Sequence, residues 1–119
     1  MGSGDESLGE FEHLVLLAII RLGDAAAGVE IRSIIEEKGQ RSVSFGAVYS
    51  TLRRLESKSY IIANHTPKAG PSVGRPRRFY QMTDRGLQVV RAAQRRLKRM
   101  ADGIALLADA PPSTNLGLG

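Results

Sequence analysis

A chain of 119 residues with 42% hydrophobic residues can form one domain with a modest core, and the absence of cysteine excludes disulfides and thiolate metal sites. The net charge of +5 is unevenly distributed: residues 44–99 hold thirteen basic and two acidic side chains, whereas residues 1–43 hold four and eight. A segment this basic is typical of a surface that binds phosphates, although it could also bind an acidic protein or an anionic membrane. The longest apolar run, residues 14–20, is shorter than the about 18 residues of a membrane span, so we expect a cytoplasmic protein without a membrane partner.

The N-terminal part predicts two helices after a flexible leader at residues 1–7. From Leu8 to Leu22 apolar residues recur with helical spacing, and the opposite side of this helix is apolar as well. Because a surface helix of a lone small domain buries only one stripe, we expect the second side to contact another chain. We therefore assign Leu14 and Leu17 to a dimer interface. A second, shorter helix ends at Gly39.

The third predicted helix is the candidate for contact with nucleic acid. Ser44 is a good N-cap, and the helix continues to about Lys58 with Val48, Leu52 and Leu55 as its buried stripe. A recognition helix presents its N-terminal residues to base edges in the major groove, where small side chains allow close approach and arginines reach phosphates or guanine. The alternative is a solvated helix face without a partner. The exposed side provides the predicted DNA-binding residues Ser44, Gly46, Ala47, Ser50, Arg53 and Arg54.

Two short strands, at residues 60–65 and 78–82, predict a hairpin with a long basic tip. The segment between them contains prolines and glycines that cannot continue a ladder, and its charges are all positive. The sequence Gly-Arg-Pro at residues 74–76 places the guanidinium of Arg75 on extended backbone. Such an arginine can insert into a narrow minor groove. A mobile loop whose charges only keep the protein soluble is the alternative. The predicted DNA-binding residues of this segment are Lys68, Arg75 and Arg77.

A fourth helix is predicted over residues 84–110, with Thr83 as its cap. Apolar residues alternate three and four apart along it, the a/d pattern of paired helices, and Pro111-Pro112 ends it before a flexible tail at 111–119. The basic residues beside this row, such as Arg95, receive no site role. The order of elements predicts a mainly α fold with a small β-hairpin wing, a winged helix-turn-helix at residues 8–83 followed by a long C-terminal dimerisation helix. The predicted interface residues on this helix are Val90, Ala93, Leu97, Met100, Ile104 and Leu107.

No set of residues predicts catalysis, a metal site or a cofactor. The two histidines, His13 and His65, have no acidic residue near them in a ligand spacing. The glycines between Gly70 and Gly74 precede a strand rather than the helix N-terminus that a phosphate-binding loop uses. We therefore expect a protein that is not an enzyme.

Two motifs are similar to those of a known family. Residues 46–56, GAVYSTLRRLE, and residues 74–86, GRPRRFYQMTDRG, resemble the PadR-type regulators, and the resemblance extends over residues 8–107. It implies a homodimer that binds double-stranded DNA, with Tyr49 of the recognition helix near the DNA backbone, and repression of nearby genes. The single C-terminal helix resembles the shorter members of the family.

The chain departs from the family pattern at two places. Members usually have Tyr-Gly at the start of the second helix, whereas this chain has Ala27-Gly28, so a contact from that tyrosine is expected to be missing. Some members bind planar drugs against an interface tryptophan, and this chain has no tryptophan. Drug sensing by that route is not expected, and the sequence indicates no other effector.

Two other interpretations compete with this one. A winged helix also occurs in protein-interaction modules that do not touch nucleic acid, but such a module should have a neutral, apolar third helix. The basic block at residues 44–99 favours DNA. A MarR-like regulator is disfavoured because only one helix follows the wing.

Overall fold

The computed structural model describes residues 8–64 and 77–108. Lys68 and Arg75, which we predicted to bind DNA, lie outside the described residues. The described part is mainly helical with one antiparallel hairpin, which confirms the predicted fold class. Its elements are α1 (Glu10–Leu22), α2 (Gly28–Lys38), α3 (Phe45–Ser57), β1 (Ile61–Asn64), β2 (Phe79–Met82) and α4 (Asp84–Ala101), with short 3-10 turns at Gly23–Ala25 and Ala105–Leu107.

One apolar core joins the helices to the hairpin. α1 contributes Leu16 and Ile19, both fully buried, which explains why this helix is apolar over most of its surface. The stripe predicted for α3 is confirmed, since Val48, Leu52 and Leu55 are buried in the same cluster. The core therefore fixes which side of α3 faces outward. Among residues 8–64 and 77–108, no helix combines the length and hydrophobicity that crossing a membrane requires.

Side chains of α2 hold the turn that precedes α3. The Nε of Arg32 donates a hydrogen bond to the Val43 carbonyl at 2.8 Å, and the Val43 N–H donates to Oε2 of Glu36 at 3.4 Å. Ser44 then caps α3 as predicted: its Oγ accepts from the backbone N–H of Ala47 at 3.1 Å. The start of α3 is thus tied to α2 by side chains as well as by the chain itself.

The hairpin has a third backbone segment beside it. β1 and β2 pair in antiparallel register from Ile61 opposite Met82 to Asn64 opposite Phe79. On the other edge of β2, the Tyr80 N–H donates to the Ala26 carbonyl at 2.9 Å, and Ala27 pairs with Phe79. The base of the wing is therefore attached directly to the residues that lead into α2.

The start of α4 packs tightly on the residues before β1. The Thr83 Oγ accepts from the Gly86 N–H at 3.0 Å, which confirms the predicted cap, and the same hydroxyl donates to the Ser59 carbonyl at 2.7 Å. Gly86 lies so close to the Tyr60 backbone that a Cβ would overlap with its carbonyl oxygen. A glycine is required here by the close approach of two backbones.

α4 is shorter than the sequence pattern predicted. We predicted a helix over residues 84–110, but α4 ends at Ala101, and Gly103 adopts φ +84° after the extended Asp102. Glycine reaches this left-handed conformation at little cost, so the Asp-Gly pair ends the helix although the apolar spacing continues beyond it. Ile104 and Leu107 lie beyond the end of α4 and do not extend its apolar row.

Candidate nucleic-acid interface

The N-terminal half of α3 combines four small residues with the larger, exposed Phe45 and Tyr49. Ser44, Gly46 and Ala47 are exposed, and Ser50 one turn later is half-buried. These four predicted residues lie on or beside the side of α3 opposite the core stripe. A helix surface without bulky side chains at these points can approach the floor of a major groove closely.

The two predicted arginines of α3 have different surroundings. Arg53 is exposed and forms no ion pair within the described part of the chain. Arg54 instead turns towards α1, where its Nε lies 3.3 Å from Oε2 of Glu12, and it also donates to the Thr51 hydroxyl at 3.3 Å. Within the described residues, Arg53 is therefore an exposed cation without an ion pair, while Arg54, half of whose side chain is exposed, joins α3 to α1.

Glu12 is the buried centre of this ion pair, and its role was not predicted from the sequence. Only 8% of the residue is exposed, and its carboxylate also accepts from Nζ of Lys58 at 3.1 Å and from the Gly9 N–H at 3.0 Å. Burial alone would raise the pKa of Glu12, but the Gly9 N–H, Lys58 and Arg54 together hold the pKa below its ordinary value of 4.5. The signal in the sequence was the spacing of Glu12, which puts this acidic residue on the same helix face as Val15, Leu16 and Ile19.

Replacing Glu12 by glutamine is expected to lower the free energy of unfolding by about 1–2 kcal/mol at neutral pH, because two cations lose their counter-charge. Since the folded-state pKa is lowered, the stabilisation is complete above the ordinary pKa and is lost as the pH falls through the lowered one. Thermal unfolding at pH 7 and at about pH 3 measures this, with Glu10→Gln on the same helix as control. If the Glu12→Gln protein is destabilised as much at about pH 3 as at pH 7, the result would contradict a stabilising role of the Glu12 charge.

Tyr49 is held between α2 and the start of α3. Its hydroxyl lies against Gly28, where a Cβ would overlap with the phenol, and its ring stacks on Phe45 with centroids 6.3 Å apart. The glycine at the start of α2 therefore leaves room for the Tyr49 hydroxyl in this position. The tyrosine that the family usually carries before this glycine is missing, and Tyr49 itself packs against the start of α2.

Arg77 at the base of the wing is tied to α2. Its Nη2 lies 2.9 Å from Oε1 of Glu30, and its guanidinium lies 5.4 Å from the centre of the Phe79 ring. Its neighbour Arg78 approaches Glu56 of α3 at 3.9 Å. These two arginines place positive charge between α2, α3 and the hairpin, and half of each side chain stays exposed.

The predicted dimer residues fall into two groups. Val90 and Ala93 are buried within the chain itself, whereas Leu97 is 61% exposed and Met100 is 77% exposed. Ile104 and Leu107 are exposed as well. The apolar row of α4 thus begins in the core and continues onto the surface.

The other two predicted interface residues line an open apolar groove. Leu14 and Leu17 of α1 lie half-buried in a cavity of about 460 Å³, with Ile34 of α2 opposite and Arg21 and Lys38 also in its wall. Within the described residues, no group of histidine, aspartate or glutamate is arranged to hold a metal ion.

Comparisons with known proteins agree with this architecture. A model of the transcriptional regulator PadR-like family matches residues 16–92. A PadR family transcription regulator from Clostridium difficile is 25% identical, with a TM-score of 0.63 over 84% of this chain and 100% of that one. A PadR-like transcriptional regulator from Bacillus cereus is 22% identical, with a TM-score of 0.67 over 85% of this chain and 93% of that one. Bacillus subtilis PadR, solved in complex with operator DNA, is 22% identical, with a TM-score of 0.58 over 85% of this chain and 49% of that one. A comparison with curated proteins gives no match.

Proposed function

Because the chain belongs to the PadR-like family of transcriptional regulators, which are not enzymes, we propose that it is a cytoplasmic repressor that binds an inverted-repeat operator as a homodimer. The observation that carries the proposal is the outer face of α3. The small residues Gly46 and Ala47 are exposed near its start. Arg53 lies two turns later, is exposed, and forms no ion pair among the described residues.

The two arginines of α3 have different roles because their contacts differ. Arg53 reaches a phosphate or the acceptor edge of a guanine, because it is exposed and its charge is not neutralised by a described neighbour. Arg54 positions α3 through its ion pair with Glu12, and its side chain, which is half exposed, can contact a phosphate as well. Arg77 lies at the edge of the same surface and contributes a phosphate contact from its exposed half.

The homodimer is supported by exposed apolar surface that one chain leaves uncovered. Leu97 and Met100 project from α4, and the groove at Leu14 and Leu17 is open. Two-fold symmetry brings such patches together and places two recognition helices about 34 Å apart, or at a multiple of one DNA turn. An inverted-repeat site follows from that geometry.

Replacing Arg53 by alanine is expected to weaken operator binding without unfolding the protein. Loss of one phosphate contact reduces the slope of log K against log salt by about one unit, and loss of a base contact costs about 1–3 kcal/mol at one position of the site. Fluorescence anisotropy over a salt series measures both, on a duplex selected from random sequences by the unmutated chain. Arg95→Ala, which removes an exposed arginine from α4, is the matched control.

The outcomes separate DNA binding from the rival function. Undiminished affinity of the Arg53→Ala protein would contradict the assignment of this residue. If the unmutated chain enriches no duplex in the selection, the winged helix serves as a protein-interaction module instead.

A further inference from the structure

Phe45, the first residue of α3, is a large apolar side chain on the surface. It is 40% exposed, and the residues on both sides of it, Ser44 and Gly46, are exposed as well. Phe45 lies three residues before Val48 and continues the apolar spacing of α3, but it lies at the end of the helix, outside the buried core, with Arg32 of α2 against its ring. The sequence alone predicts no role for this residue.

The ring of Phe45 is held in a defined position. The guanidinium carbon of Arg32 lies 4.3 Å from the centre of the ring, and the Tyr49 ring stacks on it at an interplanar angle of 27°. Arg32 is itself fixed by its hydrogen bond to the Val43 carbonyl and by Glu36 at 3.5 Å. A ring immobilised before binding loses little conformational entropy when it meets a partner.

We propose that Phe45 reads thymine through its 5-methyl group in the major groove, an inference that rests on the proposed DNA binding by α3. The N-terminal residues of a recognition helix contact base edges, and Phe45 is the first residue of this helix. Thymine alone presents an apolar group in the major groove, and a phenyl ring has no donor or acceptor with which to read the other bases.

The neighbours of Phe45 support an apolar contact. Gly46 and Ala47 add no polar side-chain atom and leave room for the ring at the groove floor. Arg53 lies eight residues along the helix, about 12 Å away by the rise of 1.5 Å per residue, so it reads or anchors a different part of the site. The start of α3 therefore selects by shape and apolar contact, and its second half by charge.

The test removes the methyl group and the ring separately. In the operator duplex selected by the unmutated chain, each thymine is replaced in turn by deoxyuridine, which differs only by that methyl. At one or two thymines per half-site, affinity should fall about fourfold, the change equivalent to burying one methylene-sized group. The Phe45→Ala protein should bind the thymine duplex more weakly and show no further loss with deoxyuridine at the same positions.

The ratio of the affinities for the thymine duplex and the deoxyuridine duplex, measured with the same protein variant, distinguishes a base contact by Phe45 from a purely structural role. If Phe45 has a purely structural role, the Phe45→Ala protein will keep the fourfold ratio, and that result would overturn the inference. The inference also fails if no deoxyuridine substitution weakens binding by the unmutated chain. Ile62→Ala, which removes a 49% exposed apolar side chain from β1, is the control and should keep the full ratio. If the unmutated chain binds no duplex, the proposed function fails before this question arises.

Discussion

The Leu97→Glu protein is expected to be a folded monomer that binds the operator at least about 100-fold more weakly than the unmutated chain. Leu97 is 61% exposed in the single chain, so the glutamate is solvated in the monomer and does not disturb the core. In the proposed homodimer the same side chain lies in the pairing surface of α4, where an unpaired buried charge costs about 3–5 kcal/mol. The loss of affinity follows because each monomer then contacts a single half-site.

Sedimentation and anisotropy decide this prediction together. Leu106→Glu is the matched control, because Leu106 is exposed but belongs to the 3-10 turn after α4 and not to its apolar row. The control should remain dimeric and keep its affinity. A Leu97→Glu protein that still sediments as a dimer, or an unmutated monomer that binds the operator tightly, would show that α4 does not form the interface.

The Gly86→Ala protein is expected to lose about 2–3 kcal/mol of unfolding free energy, a large share of what a domain of this size possesses. The added Cβ meets the Tyr60 carbonyl oxygen, which already accepts a hydrogen bond from the Thr83 N–H at 3.1 Å and cannot move without breaking it. Either the start of α4 or the entry into β1 has to shift.

Gly46→Ala is the control for the intrinsic effect of the substitution. Gly46 also lies in the first turn of a helix, but a Cβ there meets only the Ser44 hydroxyl at 3.8 Å. Alanine should stabilise this helix slightly, by up to about 1 kcal/mol. Denaturant unfolding of the two variants compares them directly, and equal stability would mean that the contact at Tyr60 relaxes freely.

The sequence predicted those features that depend on neighbouring residues. The core stripe of α3 follows from apolar spacing, and Ser44 and Thr83 are caps because their hydroxyls reach the backbone three residues on. Strand identity followed from aromatic and β-branched residues, as in Phe79 and Tyr80.

Features that depend on distant residues could not be predicted in this way. A helical projection placed Arg53 and Arg54 on one outward face, but it has no information on Glu12, which is 42 residues before Arg54 and captures its guanidinium. The same projection cannot distinguish burial within one chain from burial between two, which is why Val90 in the core and Leu97 on the surface were assigned to one interface. The end of α4 was missed because apolar spacing was given more weight than the Asp-Gly pair that follows it.

The pairing of β2 on both edges bears on how this protein avoids aggregation. An aromatic strand with unpaired backbone groups is a template for adding strands from other molecules. β2 carries Phe79 and Tyr80, and this aromatic half is covered on both edges: β1 pairs with one, and on the other the Tyr80 N–H donates to the Ala26 carbonyl beside the Ala27–Phe79 bridge. Within the described residues, the outer edge of β1 is only four residues long, and so short an edge is a poor template for fibril growth.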